Sequence, residues 1–545
     1  MSVLRLMGTE TEYAVSDFED STINPLQLPF DVVAGAADPQ TKGIRWDYGE
    51  EDPTNDARGM RLSRASAPAS MLTDAPQLHI TNVIAPNGGR IYVDHAHPEY
   101  SAPETTDPFT ALRYDHAGDV LMEQAAVRAS SRTGRRIELH RNNVDGKGAS
   151  WGTHENYQML RDVPFEQVQR LMTAHFVSRQ IFAGSGRVGI GERSETAGYQ
   201  LSQRADYIHR RVGLQTTFER PIINTRDESH STADRRRLHV IVGDANRMDV
   251  PQVLKLGTTS MLLWMLEVRH SWHTSQMSEP GESIDFVNPV GALHAISYDM
   301  SLAKRYALDD GSESSAIEMQ TRLYRAVEQT GRDVYGCRDD DASQVNWPDK
   351  PTHSVMNLWH GILSDLERIR DADDNQRLTM RDESSRIEWF AKWQILELLR
   401  RRMKSSNGDK TDATTWAAPK LKALDLSWSA LDSQHGIFPT LSSRCEHLID
   451  SEKLDKACHE PPETTRAWLR SQLIHRFPEQ IVGVAWGRIT VADSRHRGNP
   501  STLTLDMRDS SNFDKSHCQA ALVQARSAAE CIELLSANES DSSHV

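Results

Sequence analysis

Residues 89–100 read Gly89-Arg90-Ile91-Tyr92-Val93-Asp94-His95-Ala96-His97-Pro98-Glu99-Tyr100. The first half of this stretch alternates polar and apolar side chains, which is the pattern of a β-strand with one buried face. Ile91 and Val93 then point into a core. Arg90, Tyr92 and Asp94 point together to the opposite face, so a cation, a phenol and a carboxylate share one surface.

Three more polar side chains follow this strand, and all are of types that bind metal ions: His95, His97 and Glu99. Pro98 is expected to break the strand pattern. So many charged and ligand-type groups in one short segment predict that something charged binds there. The two histidines also leave a zinc hydrolase open as a remote alternative.

The bulk composition argues against several classes of protein. The chain has 545 residues, 38% of them hydrophobic, which is enough for a large core. Its net charge of −15 argues against nucleic-acid binding. We find no apolar run of about 18 residues that would span a membrane, and no apolar signal-peptide region at the start. Five scattered cysteines without a CxxC motif are typical of the reducing cytoplasm, where we expect this protein.

The order of the predicted strands and helices indicates the fold class. Strands come first and helices dominate after residue 250, without regular strand–helix–strand alternation, which favours an α+β fold with a largely antiparallel sheet. The predicted strands are 3–15, 89–94, 136–142, 152–160 and 237–243. The predicted helices are 108–131, 164–183, 254–269, 314–330, 355–370 and 384–403.

A domain boundary is predicted at Pro461-Pro462. We expect a large domain over residues 1–460 and a small C-terminal domain over residues 461–545. The small domain is predicted to hold a helix at 463–476, strands near 481–492 and 501–508, and a frayed polar tail.

Residues 38–79 form a long polar stretch without a sustained period of 2 or 3.6. Structureless stretches of this length are uncommon in compact domains and are often functional lids or disordered segments. We therefore expect this stretch to be either a functional lid or a disordered segment.

The polar faces of the predicted strands carry matching chemistry. Glu10 and Glu12 share one face of the first strand, and His154 and His239 lie on the polar faces of two later strands. A sheet with one apolar face and one face of carboxylates, imidazoles and guanidinium groups is suited to hold a metal ion and phosphate. Oxygen-rich ligand sets favour Mg²⁺ or Mn²⁺, and sets with more histidine favour zinc. On periodicity alone, the two histidines would equally be ordinary half-buried residues.

Asp94 is a candidate for the reacting group. Beside a cation it stays ionised, so it would act as a nucleophile or as a base toward water; the alternative is a structural pair with Arg90. A second signal is the segment 201–240, which holds eight Lys plus Arg against five Asp plus Glu in an otherwise acidic chain. This excess suggests an acidic ligand, although a solvated mixture of charges has a similar pattern.

Several motifs of this chain resemble the Pup ligase/Pup deamidase family. They are Gly8-Thr9-Glu10-Thr11-Glu12-Tyr13, Arg90-Ile91-Tyr92-Val93-Asp94, His97-Pro98-Glu99-Tyr100, Lys147-Gly148-Ala149-Ser150, His154-Glu155-Asn156-Tyr157, Ile223-Asn224-Thr225-Arg226-Asp227-Glu228 and Arg237-Leu238-His239-Val240-Ile241-Val242-Gly243-Asp244. The similarity is strong from residue 5 to about 260, weaker through the helical middle, and returns after Pro461. Residues 38–79 resemble an insertion that the ligase branch lacks, and the spacing Asp94-His95-Ala96-His97-Pro98 matches the deamidase branch.

This resemblance implies a glutamine-synthetase-like sheet cradle with a small C-terminal domain, ATP and Mg²⁺ as cofactors, and Pup and pupylated proteins as partners. It implies that Asp94 is the catalytic residue. The implied metal ligands are Glu10, Tyr92, Glu99, His154 and His239. The implied nucleotide contacts are Gly8, Thr9, Glu10, Thr11, Glu12, Arg90, Ser101, Ala102, Asn156, Arg237 and Trp486. The implied Pup contacts are Arg204 and Arg226.

The activity implied in this way is an ATP- and Mg-dependent amidase. It would deamidate the C-terminal Gln of Pup to Glu and cleave the isopeptide bond between Pup and a lysine, with the 38–79 insertion over the site. A Pup–protein ligase and a non-catalytic Pup-binding relative are the alternatives. A non-catalytic copy need not keep the ionisable set Glu10, Asp94, Glu99 and His154, which argues against the second.

Overall fold

A six-stranded antiparallel sheet forms the centre of the fold. In spatial order its strands are β15 (Arg235–Val240), β10 (Thr153–Leu160), β1 (Met7–Glu12), β8 (His97–Ser101), β7 (Arg90–Asp94) and β6 (Asn82–Ile84). Every neighbouring pair runs antiparallel, so the predicted α+β class with an antiparallel sheet is confirmed. The structure is a computed structural model that describes residues 3–20, 22–63, 65, 67, 81–227, 232–271, 283–341, 343–406, 415–493, 501–509 and 512–542.

Shorter strands lie around this sheet. They are β2 (Ala14–Asp17), β3 (Arg45–Trp46), β4 (Asn55–Asp56), β5 (Met60–Arg61), β9 (Ile137–His140), β11 (Arg187–Ile190), β12 (Thr196–Gln200), β13 (Ile208–Gly213), β14 (Arg220–Asn224), β16 (Tyr306–Ala307), β17 (Glu313–Ser314), β18 (Ile481–Val484), β19 (Arg488–Asp493) and β20 (Ser501–Asp506).

The helices follow mainly in the second half of the chain. They are α1 (Leu28–Ala36), α2 (Pro108–Thr133), α3 (Phe165–Ser178), α4 (Gln180–Ala183), α5 (Asp249–Ser271), α6 (Pro289–Ser297), α7 (Ala316–Tyr335), α8 (Lys350–Asp371), α9 (Asp374–Arg377), α10 (Arg381–Ser384), α11 (Glu388–Ser406), α12 (Pro419–Ser429), α13 (Phe438–Leu441), α14 (Ser451–His459), α15 (Ala467–Arg476), α16 (Lys515–Gln524) and α17 (Ala528–Ser542). Within the described residues, no helix is both long and apolar enough to cross a membrane.

Helix α2 covers the back of the sheet. It begins after Asp107, whose carboxylate accepts hydrogen bonds from the first free backbone N–H groups, and ends at Gly134, which adopts a left-handed φ of 70°. Its middle packs so closely on β8 that a Cβ on Gly118 would lie 2.2 Å from the Tyr100 ring. Helix α2 therefore covers this part of the back face, and the opposite face is the front of the sheet.

The opening stretch folds as a hairpin rather than as one strand and a loop. β7 ends at Asp94, His95 and Ala96 make the turn, and β8 begins at His97. The prediction that Pro98 breaks the strand is wrong, because Pro98 lies inside β8 opposite Val93. The Val93 N–H donates to Thr81 on the other side, so the missing proline N–H costs no bond between β7 and β8.

The C-terminal unit is a second, smaller sheet with the order β20-β19-β18-β3. Its outer strand β3 comes from the insertion near the N-terminus and pairs in parallel with β18. Trp46 of β3 also lies in the apolar core of this unit. The domain division at residue 460 stays a prediction. Strand β3 lies before this boundary in sequence but belongs to the C-terminal sheet. The tail predicted to fray is helical to Ser542.

The described part of the 38–79 insertion, which ends at residue 67 with gaps, is more regular than predicted; residues 64, 66 and 68–79 lie outside the described residues. Beyond β3, it forms a short 3₁₀ turn at Tyr48–Glu50 and the hairpin β4–β5. The backbone of Asp56 forms an isolated antiparallel β-bridge with the backbone of Arg226. The strand β3 and the bridge at Asp56 have partners distant in sequence, and β4 and β5 have two residues each, so the insertion shows no sustained local period.

Candidate active site

The sheet register brings the predicted site residues into rows on one face. Glu10 on β1 lies opposite His154 on β10 and Ser101 on β8. One step along, Glu99 on β8 lies opposite both Glu12 and Tyr92. Side chains two residues apart share a face, so the strands present their acidic and basic groups together.

Glu10, His154 and His239 form one close group, in which one candidate ligand atom from each lies within 4.8 Å of the others. His154 Nδ1 lies 3.2 Å from Glu10 Oε2. Burial alone would raise the pKa of Glu10, but the His154 hydrogen bond and the neighbouring positive charges hold it well below its usual range. Burial lowers the pKa of both histidines. An ionised carboxylate beside two neutral imidazoles is a suitable donor set for a divalent cation.

Two further side chains hold this group in place. Arg237 donates to Glu10 Oε1 at 3.1 Å and to Asn156 Oδ1 at 2.7 Å. Asn156 donates to the same Glu10 oxygen at 3.1 Å, and its own Oδ1 lies 3.0 Å from His239 Nδ1. Networks of this kind fix the orientation and tautomer of ligand side chains.

Tyr92 and Glu99 form a second pair next to it. The Tyr92 hydroxyl donates to Glu99 Oε1 at 2.7 Å. Burial raises the pKa of Glu99 well above its usual range, and the charges of Asp94, Glu12 and Glu10 raise it further. The carboxylates of Glu10, Glu12, Asp94 and Glu99 are thus close enough on the sheet for their negative charges to repel one another. A bound cation would relieve this repulsion.

Asp94 stands at the end of β7 in a third group with Glu12 and His95. His95 Nδ1 lies 3.0 Å from Asp94 Oδ2, and Glu12 accepts a hydrogen bond from the Gly152 N–H. Burial, and then the Asp94 charge, raise the pKa of Glu12 to about 8. Although burial opposes it, the His95 hydrogen bond and charge lower the pKa of Asp94. Asp94 is therefore the ionised member of the pair, as its predicted role requires.

His97 does not take part in these groups. Its ring packs on Trp151, with the centroids 4.9 Å apart, and burial lowers its pKa to about 4. The zinc alternative, which needed His95 and His97 as a pair, is not supported by this arrangement.

A pocket opens beside Glu10, between the sheet and the C-terminal unit. The space at its mouth, including adjoining open solvent, is about 430 Å³. The lining residues are Leu6, Met7, Gly8, Thr9, Glu10, Ser101, Ala102, Glu104, Asn156, Tyr157, Gln158, Arg237 and Trp486. Most of the predicted nucleotide contacts are brought together here, including Trp486 from the C-terminal unit.

Three of the predicted nucleotide contacts, Thr11, Glu12 and Arg90, lie outside this lining, and Thr9 lines the pocket with its hydroxyl turned away. The Thr9 hydroxyl donates to Asp115 on α2 at 2.8 Å, so Thr9 faces the back of the sheet. Thr11 is fully buried and, by alternation, shares that back face, so it is not brought to the site. Glu12 lies with Asp94, as described above. Arg90 lies outside the pocket lining and on the front face.

The surroundings of Arg90 were not predicted from the sequence. Its guanidinium carbon lies 4.0 Å from the Trp46 ring centroid and 3.9 Å from the Tyr92 ring centroid. It also donates to Tyr48 Oη at 3.3 Å and to Asn82. The sequence signal for this contact is the cluster Arg45-Trp46-Asp47-Tyr48 in the insertion. It lies more than 40 residues before Arg90 in the sequence, so no local pattern connects the two.

The two predicted Pup contacts differ in position. Arg204 is fully buried and donates to Ser150 Oγ and to the carbonyls of Trp151 and Ile241. Its placement does not fit direct contact with a bound chain, since it anchors the segment that presents the Gly152 N–H. Arg226 is half-buried, and its charge helps to lower the pKa of His239, so it stands near the site.

The fold and this face together define a carboxylate–amine ligase type of enzyme fold. The solved structure of the Pup ligase PafA in complex with ADP has this fold, with a TM-score of 0.66 and 27% identity over 82% of this chain and 91% of that chain. The chain belongs to the Pup-ligase protein family, whose sequence profile matches residues 5–490.

Curated relatives divide between two named activities. The Pup deamidase/depupylase of Mycobacterium tuberculosis (strain H37Rv) is 39% identical over 546 residues, covering 98% of this chain and 99% of the relative. The Pup–protein ligase of Corynebacterium diphtheriae is 35% identical over 440 residues, covering 78% of this chain and 82% of the ligase. The similarity is thus both higher and more complete toward the deamidase/depupylase.

Proposed function

We propose that this protein is a Pup deamidase and depupylase, a hydrolase of γ-amide bonds. The observation that carries the proposal is the 39% identity to a Pup deamidase/depupylase over nearly the whole of both chains. The site supports it, because an ionised Asp94 stands on the front face beside the candidate metal ligands. The substrates are Pup ending in Gln and proteins linked to Pup through lysine, in the cytoplasm.

The residues of this chain perform the reaction as follows. Asp94 either attacks the γ-carbonyl carbon itself, or takes a proton from a water molecule that then attacks this carbon. Glu12, held by the Gly152 N–H, lies beneath Asp94 and keeps its proton near neutral pH, which leaves the negative charge on Asp94. Arg90 and Arg226 give the front face positive charge toward an acidic substrate.

A nucleotide and Mg²⁺ fit the residues present. Glu10, His154 and His239 would hold the metal ion together with Glu99 and Tyr92. Repulsion among the neighbouring carboxylates favours binding of a cation there. The pocket lined by Gly8, Asn156 and Trp486 would hold the nucleotide, a role that the ADP complex of the related ligase supports. When bound, the metal ion would supply positive charge that stabilises the oxyanion; hydrolysis in water needs no ATP as a driving force.

Incubation with Gln-ending Pup, ATP and Mg²⁺ tests this function by mass spectrometry. We expect Pup to gain the mass difference between –NH₂ and –OH, and a Pup–lysine conjugate to release both proteins. Glu-ending Pup with a target protein is the control for the ligase alternative. A ligated product without deamidation of Gln-ending Pup would overturn the proposal, and no product in either reaction would favour a non-catalytic relative.

A further inference from the structure

His95 occupies a strained position at the tip of the β7–β8 hairpin. Its φ is 52°, in the left-handed region that side chains other than Gly seldom adopt. A two-residue hairpin turn needs positive φ, and Asn or Gly would meet this need at lower cost. A strained residue directly after the reacting carboxylate suggests a chemical use for its side chain.

The imidazole of His95 is directed at Asp94. Its Nδ1 lies 3.0 Å from Asp94 Oδ2, and a third of the side chain (33%) is open to solvent. One candidate ligand atom each of Glu12, Asp94 and His95 lies within 4.8 Å of the other two, and the His95 charge acts on both Glu12 and His97. His95 therefore faces two carboxylates and a neutral histidine, and it can exchange protons with water.

Hydrolysis of an amide needs a proton donor, because the nitrogen leaves as an amine and not as an anion. His97 is neutral and stacked on Trp151. Tyr92 is committed to Glu99, and burial raises its pKa well above the usual value. Glu12 is buried under Asp94 and bound to Gly152. His95 is the group of this set that reaches both the nucleophile and the solvent.

We propose that His95 is the general acid that protonates the leaving nitrogen, an inference that rests on the proposed amidase function. Asp94 forms a bond to the γ-carbon, the C–N bond breaks, and the proton on His95 passes to the nitrogen, which leaves as ammonia or as the lysine amine. Water then attacks the acyl group on Asp94 and releases its two protons to the solvent, from which the neutral His95 and the departed amine each take up one. The products are the glutamate carboxylate, the ammonium form of the amine and the original enzyme. If Asp94 deprotonates water instead, the nitrogen needs the same donor.

The test compares two leaving groups in wild type and in His95→Asn. Asparagine tolerates the left-handed backbone, so the turn is kept while the imidazole is lost. One substrate is Gln-ending Pup, and the other is Pup with its terminal γ-carboxyl as an alkyl thioester, whose thiolate leaves without a proton. We expect kcat for the amide to fall by at least about 100-fold, and kcat for the thioester to fall by less than about threefold.

Equal loss on both substrates would show that His95 only positions Asp94, and unchanged amide turnover would show that it has no role; either result overturns the proposal. His95→Gly serves as a second variant in which the turn is relaxed further, and it should show the same selective loss. His353→Gln, at a partly exposed position of α8 outside the site, controls for loss of a histidine as such. Failure of the wild-type protein on both substrates would instead refute the proposed function.

Discussion

The guanidinium carbon of Arg90 lies over the Trp46 ring, 4.0 Å from the ring centroid. Trp46 belongs to the insertion and to the core of the C-terminal unit, where its ring meets Trp486 at 5.2 Å. Arg90 stands on the same strand as Asp94. This contact therefore joins the insertion, the wall of the pocket and the catalytic strand.

Trp46→Ala should lower kcat/KM for deamidation by about tenfold, because a buried cation–π contact contributes about 1–2 kcal/mol. Trp46→Phe keeps an aromatic face for Arg90 and should keep most of the activity. The exposed Val482→Ala on the adjoining strand β18 is the control. Steady-state kinetics of the three variants would check this, and equal activity of Trp46→Ala and wild type would contradict it.

Asp94→Asn should lower turnover by at least about 1,000-fold, since the amide can neither attack the carbonyl nor accept a proton from water. The change removes one charge and keeps the shape, so Pup should bind with an affinity within about threefold of wild type. Deamidation followed by mass spectrometry and binding followed by fluorescence anisotropy measure the two effects. Substantial turnover by the variant would remove Asp94 from the reaction.

Metal binding offers a test that does not depend on turnover. Glu10→Gln should weaken Mn²⁺ binding by at least about tenfold, since Glu10 is the ionised ligand between His154 and His239. Electron paramagnetic resonance of bound Mn²⁺ measures this directly. Glu138→Gln is the matched control, because Glu138 also lies close to an aspartate and a histidine but stands on β9, outside the six-stranded sheet. A loss for Glu138→Gln and none for Glu10→Gln would refute the assignment.

The sequence predicted the candidate catalytic face better than its surroundings, for a physical reason. Alternation along a strand fixes which side chains share a face, so Glu10, Tyr92 and His154 were found together. The same rule places Thr9 and Thr11 on the back, although the family motif had suggested them as contacts. Alternation carries no information on what covers a face. The stacking of Trp46 on Arg90 arises from pairing between strands far apart in the chain.

The buried Glu104 ties the two units together. It accepts hydrogen bonds from Arg466 at 2.8 Å and from Arg470 at 2.8 Å, and Arg470 also donates to the Trp486 carbonyl at 3.0 Å. Glu104→Gln leaves two buried cations without their counter-charge, so we expect the free energy of unfolding to fall by about 3 kcal/mol. Urea denaturation followed by tryptophan fluorescence measures it.

The exposed pair Lys515–Glu463 provides the control for that variant. Its two side chains are 36% and 51% exposed, so Glu463→Gln should change stability by less than about 0.5 kcal/mol. Similar effects of the two variants would mean that Glu104 is not a specific link between the sheet and the C-terminal unit.

His140 should make stability depend on pH. Burial, and then the charge of Arg247, lower its pKa to about 4 from the ordinary value of 6.5. Between these values the unfolded chain binds a proton that the folded chain does not. The free energy of unfolding contributed by His140 is therefore fully present above pH 6.5 and falls as the pH drops toward 4, by up to about 1.4 kcal/mol per pH unit. His140→Gln should have a shallower slope in this window, as urea denaturation at several pH values would show. Parallel curves for wild type and His140→Gln would contradict the prediction.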